Sequence, residues 1–380
     1  MKIALLSGAS SIHTIRWANG LQAAGHEVHV ISQHPEAEPF APGVQVHLFP
    51  FRAIAGYFMM IPRVRRLLKH LQPDIVNAHY ASGYATTARL VRYRPWVLSV
   101  WGSDVYDFPY KTPLHRWLVD TNLLAADAVA STSQCMATQV RALAPEVGTI
   151  AITPFGVDMD AYQSLTPTVQ AQPSRWVIGT VKTMAEKYGV DTLIEAFALL
   201  LRKLATNSPA LADQLHLRLV GGGRQTAALQ QLAHNLGIAS RVEFVGQVPH
   251  AQVPQALASL DIYVALSRSD SESFGVAIIE AGAAGRPVVV SNAGGLPEVT
   301  VHGVTGLVVP REHPQAAADA MEHLLLNADL RQQMGRAAQL HVTKHYSWPA
   351  CIHAMVKVYE QTIAAYRGGQ ASYGRRDKNQ

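Results

Sequence analysis

The chain has 380 residues, 48% of them hydrophobic and 16% charged, with a formal net charge of +5 at pH 7. That length is twice or more the common size of one domain, so two domains are expected, and the composition excludes a disordered chain. Two cysteines, Cys135 and Cys351, exclude a disulfide framework and point to a reducing compartment, while the mild basicity suits an anionic ligand or membrane surface better than nucleic acid.

The opening apolar run, residues 1–8, is too short for a signal peptide, and the apolar stretch 53–62 is too short to span a bilayer. A cytoplasmic protein is expected, at most peripheral on the inner face of the cytoplasmic membrane. Short β-branched runs predict strands at 2–8, 26–32, 44–50, 74–80, 96–102, 128–133 and 149–156. Several are apolar almost throughout, as strands covered on both faces are. Helical patterns lie between them, such as 14–25, which closes on Gly25. The pattern fades over the polar stretch 158–175, then restarts with strands at 176–182, 215–223, 242–247, 261–267, 286–292 and 306–310. Alternating β and α elements predict α/β architecture: two Rossmann-like, doubly wound parallel-sheet domains. The domain boundaries are read as 1–158, a linker at 159–175, and 176–346. A helix at 347–367 is long enough to return to the first domain, and 368–380 reads as a disordered tail.

In such sheets ligands bind beyond the carboxyl ends of the strands, so two facing sheets make one cleft and chemistry is sought just after each strand. The segment from Ser267 to Glu280 is the most informative. Glu272 falls in a strand-to-helix loop, and Glu280 follows about two helical turns later. The backbone amides of Ser273, Phe274, Gly275 and Val276 then open a helix, which makes a natural anion site. In the first half, Ser7, Gly8, Ala9, Ser10 and Ser11 follow the first strand, but a single glycine is no dinucleotide fingerprint. Gly221, Gly222 and Gly223 likewise lack a G-x-G-x-x-G with a downstream acid. His341 and His345 share a helix face without a third ligand, and Asp158 and Asp160 fall at the linker, so no metal is expected.

Residues 52–116 hold ten Lys and Arg against three Asp. Within them Pro62 suits a first helical position, and Val64, Leu67, Leu68 and Leu71 fall on one face. Arg63, Arg65, Arg66 and Lys69 occupy the remainder, with residues 57–61 ahead as an apolar insert. The pattern fits docking on an anionic membrane surface through 63–69; a packed helix with a solvated basic face fits as well.

The stretch Glu272–Glu280, the small-residue run 281–291 and Gly294-Gly295-Leu296-Pro297-Glu298 together resemble retaining glycosyltransferases of family 4, two-domain GT-B enzymes. The resemblance extends through 13–32, 153–158, 187–197, 219–223 and 242–249 and covers roughly residues 1–350. It implies a GT-B fold whose two domains face across a cleft, with an N-terminal acceptor domain and a C-terminal nucleotide-sugar donor domain. It also implies sugar transfer, with retention, from a nucleotide sugar to a hydroxyl of a glycan or lipid-linked acceptor, with no cofactor and no nucleic-acid partner. A UDP-sugar is favoured over a GDP-sugar. Lys187 and Lys182 would stabilise the leaving diphosphate, Glu272 would contact the donor sugar and Glu280 the ribose. The loop at Gly246 would contact base or ribose, and Gly8 would lie near the donor phosphates. Ser10, His13, His79 and Trp101 would lie on the acceptor side. Many relatives have His at the position of Trp101, a departure that leaves its polar role to Asp104 or His79. Both also read as ordinary residues, Asp104 as a helix cap and His79 as a packed strand end. Two rival functions remain at this point: a sugar-nucleotide epimerase on the same fold, and a non-catalytic sugar-nucleotide sensor.

Overall fold

The computed structural model describes residues 1–51, 53–163 and 175–376, which fall into two compact units. One comprises Met1–Phe155 with Trp348–Gln380, the other Gly156–Ser347. Among the described residues no helix is long and apolar enough to cross a membrane.

The first unit is built on seven strands: β1 (Lys2–Leu6), β2 (Glu27–Ser32), β3 (Gln45–Leu48), β4 (Ile75–His79), β5 (Trp96–Val100), β6 (Ala128–Ser131) and β7 (Ile150–Ile152). They pair in parallel in the order β3-β2-β1-β4-β5-β6-β7. β4 and β5 are buried at every position, which is why their sequences are apolar runs rather than alternations. The strand order reverses at β1, so β1 and β4 open a crevice at their carboxyl ends. The helices that matter below are α1 (Ile12–Ala23), α2 (Ala53–Met59), α3 (Ile61–Leu71), α4 (Gly83–Val91) and the short α5 (Ser103–Tyr106).

α3 buries Val64 and Leu68 and half-buries Leu67 and Leu71, while Arg63, Arg65, Arg66 and Lys69 stay exposed. The apolar insert ahead of it is narrower than residues 57–61. Met60 is fully buried and Tyr57 packs edge-on against Tyr84, 5.1 Å between ring centroids. The exposed apolar side chains are Ile54, Phe58 and Met59, at 71%, 48% and 57% exposure. The last helix, Trp348–Arg376, belongs to this unit. Trp348 meets Trp17 of α1 edge-on at 5.3 Å, and Tyr359 donates a hydrogen bond to Asn77 Oδ1 in β4 (3.0 Å). The helix continues past 367 to Arg376, so the tail expected from Gly368 onward begins as helix; glycine weakens a helix by about 1 kcal/mol but does not end it as proline does. Residues 377–380 lie outside the described residues.

The second unit has six parallel strands: β8 (Trp176–Val181), β9 (Leu215–Val220), β10 (Val242–Gly246), β11 (Ile262–Ala265), β12 (Val288–Ser291) and β13 (Gly306–Val309). Their order is β10-β9-β8-β11-β12-β13, with the reversal at β8. Its crevice therefore lies at the carboxyl ends of β8 and β11. Of the stretch read as a linker, Asp160–Gln163 forms one helical turn and 164–174 lie outside the described residues. Except for β2, the strands stop one to several residues short of the sequence runs, and the trailing residues become the loops that carry polar side chains.

Candidate functional site

In the second unit, Lys182 follows β8 and donates from Nζ to Glu272 Oε1 at 2.7 Å. The ammonium also lies 4.3 Å from the centroid of the Tyr188 ring. Burial is the largest single influence and disfavours the charge, but the neighbours together, Glu272 foremost, hold the Lys182 pKa above the ordinary lysine value. Lys187 sits in the 3-10 turn Glu186–Tyr188 and lays its own ammonium 4.9 Å from the same ring. Among the described residues no carboxylate pairs with it. Two cations thus share one aromatic ring, one paired with a carboxylate and one not. The turn can approach β11 only because residue 189 is glycine: it has φ +60°, and a Cβ there would stand 1.9 Å from Leu266 O.

Glu272 is half-buried in the loop after β11, and Glu280 is buried in the helix Val276–Ala283. Gly275 caps that helix with φ 88°, so the first-turn N–H groups point out beyond its start. Ser273 and Phe274 are buried, and the Phe274 ring meets Tyr346 at 5.8 Å; only their backbone can face a ligand. Tyr263 of β11 is fully buried and lies within electrostatic reach of Lys182, Glu272 and Glu280 alike. Burial pushes its hydroxyl up to about 12, so it stays a neutral group at the centre of the three charges. The Glu272 loop is backed by the glycine pair of the turn after β12. Gly295 N–H donates to Glu272 O (3.0 Å), and a Cβ on Gly294 would fall 2.3 Å from that same oxygen. Gly246 closes β10, two strands over from Lys182, and its carbonyl accepts from Gly221 N–H (2.7 Å). Glu298 is exposed in the first turn of the helix Leu296–Val299. Tyr263 was not singled out by sequence; Gly294 entered only as part of the motif that carries the resemblance, and Tyr188 and Gly189 only as neighbours of Lys187.

The carboxyl ends of β1, β4 and β5 gather the residues singled out in the first unit, but two of them are already engaged. The Asp104 carboxylate accepts Ala81 N–H on one oxygen (2.7 Å), and Trp101 N–H (3.1 Å) and Gly102 N–H (2.8 Å) on the other. It ties the loop after β4 to the loop after β5. Burial raises its pKa, and those backbone donors pull it part of the way back. Asp104 thus ties the two loops together, with both carboxylate oxygens occupied by backbone N–H groups. His79 is also spoken for. Val97 O can only accept, so the Asn77 amide nitrogen faces it (3.1 Å) and Asn77 Oδ1 faces His79 Nε2 (2.9 Å). Nε2 thus carries the proton, and Nδ1 accepts from Ser7 Oγ (2.9 Å), which in turn accepts from Thr14 Oγ1 (2.7 Å). Both ring nitrogens bond to buried polar groups, and His79 is packed at the strand end.

Above this network lies an aromatic cluster. The Trp101 ring is 4.3 Å from His79, 5.0 Å from Tyr80, 5.5 Å from Phe155 and 5.8 Å from His13, and His13 stacks on Phe155 at 4.2 Å. Trp101 and His13 are half-buried, Ser10 is exposed and Gly8 is buried in the turn after β1.

Comparison with known proteins places both units. Residues 2–133 match the glycosyl transferase 4-like family model, and residues 166–341 match glycosyl transferases group 1. Each unit is thus matched by a glycosyl transferase family model. A GDP-mannose-dependent alpha-(1-6)-phosphatidylinositol monomannoside mannosyltransferase of Mycobacterium tuberculosis is 33% identical over 207 residues, 51% of this chain and 51% of that protein. The match thus spans about half the length of that relative. A D-inositol 3-phosphate glycosyltransferase of Nocardia farcinica is 26% identical over 409 residues, covering 97% of this chain and 88% of the relative. Among solved structures, Anabaena Alr3699/HepE in complex with UDP superposes with a TM-score of 0.76 at 19% identity, covering 95% of this chain and 99% of that one. The fold is GT-B.

The buried His79 network has a pH signature. Burial, with a smaller contribution from His13, pushes the His79 pKa from 6.5 down to about 3. Below pH 6.5 the unfolded chain binds a proton that the folded chain refuses, so this part of the stability is full above that pH and is lost progressively toward pH 3. The melting temperature of the native chain should fall more steeply between about pH 7.5 and pH 5 than that of His79→Gln. Parallel slopes would show that the ring does not stay neutral in the fold.

Proposed function

We propose that the chain is a retaining glycosyltransferase that moves a sugar from a nucleoside diphosphate donor to a hydroxyl of a lipid-linked or cell-envelope acceptor. The observation that carries this reading is the cluster at the carboxyl ends of β8 and β11: the Lys182–Glu272 pair, the unpaired Lys187 ammonium and the open N-terminus of the helix Val276–Ala283. A departing diphosphate develops negative charge, and Lys187, Lys182 and the helix amides supply positive charge where it develops. Glu272 has acceptor oxygens for sugar hydroxyls, and Glu280 for the ribose. The names of the relatives support a nucleotide donor: the mycobacterial protein is GDP-mannose-dependent, and HepE was solved with UDP. With the leaving-group charge met by side chains and a helix end, transfer needs no divalent cation. No protein base is assigned; retention follows from the family resemblance, with the acceptor proton passing to the leaving phosphate. Ser10, His13 and Trp101 form the acceptor-side rim of the first unit.

The membrane reading rests on the first unit. The apolar face of α3 is packed against its own core, and its basic residues are exposed, although Arg65 bonds to Leu90 O and Val91 O and Arg63 lies over Phe51; Ile54, Phe58 and Met59 of α2 are exposed as well. Basic side chains next to exposed apolar ones are the chemistry of docking to an anionic bilayer, where a lipid-linked acceptor resides. The phosphatidylinositol monomannoside in the mycobacterial relative's name supports a lipid acceptor.

Two measurements check these readings. Lys187→Ala should lower kcat and kcat/KM together by about 2–4 kcal/mol of transition-state stabilisation. Glu280→Ala should mainly raise the donor KM, and EDTA should leave transfer unchanged. Native kinetics in both variants would remove the donor site from this place, and activity lost in EDTA and restored by Mg²⁺ or Mn²⁺ would refute metal independence. For the membrane, co-sedimentation with liposomes should rise with anionic lipid, fall with salt, and drop when Arg63, Arg65, Arg66 and Lys69 become Ser, each contributing about 1 kcal/mol. Equal sedimentation with neutral and anionic vesicles would reduce the basic face to solvated surface.

A further inference from the structure

The segment joining β11 to Glu272 is held by two arginines whose bonds run toward the Lys187 turn on one side and the glycine turn on the other. Arg268 donates its backbone N–H to Lys187 O (2.9 Å) and its Nη1 to Glu186 O (3.1 Å). Its Nη2 reaches Asp191 Oδ2 (2.6 Å) and Thr192 Oγ1 (3.1 Å) at the start of the helix Val190–Asn207, and Nε lies 3.2 Å from Glu312 Oε1. Four chain segments therefore meet on one guanidinium. Arg311, after β13, fixes that residue from behind: Nη1 donates to Arg268 O (3.1 Å), and Nη2 donates to Asp270 Oδ1 (2.8 Å) and Asn292 O (2.9 Å). Asp270 Oδ1 also accepts Gly294 N–H (3.1 Å), which closes the brace onto the turn that backs Glu272. Glu312, beside Arg311, holds a left-handed φ of 54°, a conformation a non-glycine residue keeps only where its surroundings enforce it.

We propose that Arg268 is a positioning residue: it fixes the 3-10 turn so that the Lys187 ammonium stands at a set distance from Glu272, with Arg311 locking Arg268 in place. The inference rests on the reading of Lys187 and Glu272 as donor contacts. Three features of the site carry it. Lys187 has no ion-pair partner of its own among the described residues, so only its backbone and the Tyr188 ring fix where its charge stands. The backbone of that turn is bonded to Arg268 at two consecutive carbonyls, Glu186 and Lys187. The bonds of Arg268 diverge toward a carbonyl, a carboxylate and a hydroxyl, a geometry that a planar guanidinium fork serves and a lysine point charge does not. Ion pairs as open to solvent as these add little to stability, so the yield of the brace is geometry.

The test is a double-mutant cycle on kcat and donor KM, with UDP-glucose and GDP-mannose as the donor probes. Arg268→Gln should lower kcat by about 10- to 100-fold, the scale of a misplacement near 1 Å, with donor KM changed far less. In a Lys187→Ala background the same substitution should cost less than about twofold, because the group it aims is gone. Arg268→Lys should fail to restore kcat, and Asp191→Asn, which removes an anchor of the fork while keeping Arg268, should reproduce part of the loss. Melting temperatures of all variants within a few degrees of native would show that each remains folded. An equal cost of Arg268→Gln in both backgrounds, or no cost in either, overturns the proposal while leaving the donor site standing. Native kinetics for Lys187→Ala, or a native chain that turns over neither donor, overturns the donor reading and the proposal with it.

Discussion

A site that stabilises a departing diphosphate must keep positive charge available, yet a folded protein tends to neutralise any cation it half-buries. On the proposed reading the second unit meets this constraint by separating two lysines that share one ring. Lys182 is neutralised by Glu272 and held in place; Lys187 rests on the face of Tyr188, whose quadrupole attracts the cation without cancelling its charge. Much of the surrounding structure serves this arrangement. The left-handed Gly189 brings the turn against β11, the glycine turn after β12 backs the Glu272 loop, and buried Tyr263 lies beneath the charges as a neutral group.

The first unit uses its polar residues differently. Thr14, Ser7, His79, Asn77 and Tyr359 form one buried chain of hydrogen bonds that joins α1, β1, β4 and the last helix. Asp104 spends both oxygens on backbone N–H groups. These groups are satisfied internally, and what remains at the carboxyl ends of the strands is an aromatic rim around Trp101. An apolar rim over a rigid polar foundation suits a ring-shaped ligand, because aromatic faces bind the C–H surfaces of sugars while their hydroxyls reach polar neighbours.

The central strands were legible in the sequence because parallel strands buried on both faces are continuous apolar runs, while the partly exposed β3 and β10 were read from short β-branched runs. The glutamate pair stood out by its spacing within one loop and one helix, and the lysines only through the resemblance to a known family. What could not be read were partners distant in the chain. Asp104 and His79 have the residue types of catalysis, and only the fold shows that Ala81, Asn77 and Ser7 already occupy them. Arg268 and Arg311 are 43 residues apart, and nothing local marks either as a brace. The basic helix α3 was legible as amphipathic, but which apolar neighbours stay exposed depends on packing: Met60 points inward and Ile54 outward.

The central claim is that the second unit reads a diphosphate. The most direct measurement is the melting temperature of the full chain with UDP and GDP set against UMP and GMP at equal concentration. A ligand that binds only the folded state at about 100 times its Kd stabilises by about 2.7 kcal/mol, a shift that is easily resolved. The account predicts a larger rise with a diphosphate than with its monophosphate, and a difference that shrinks as salt screens the lysines. Equal shifts for mono- and diphosphate, or no shift with any of the four, would contradict it.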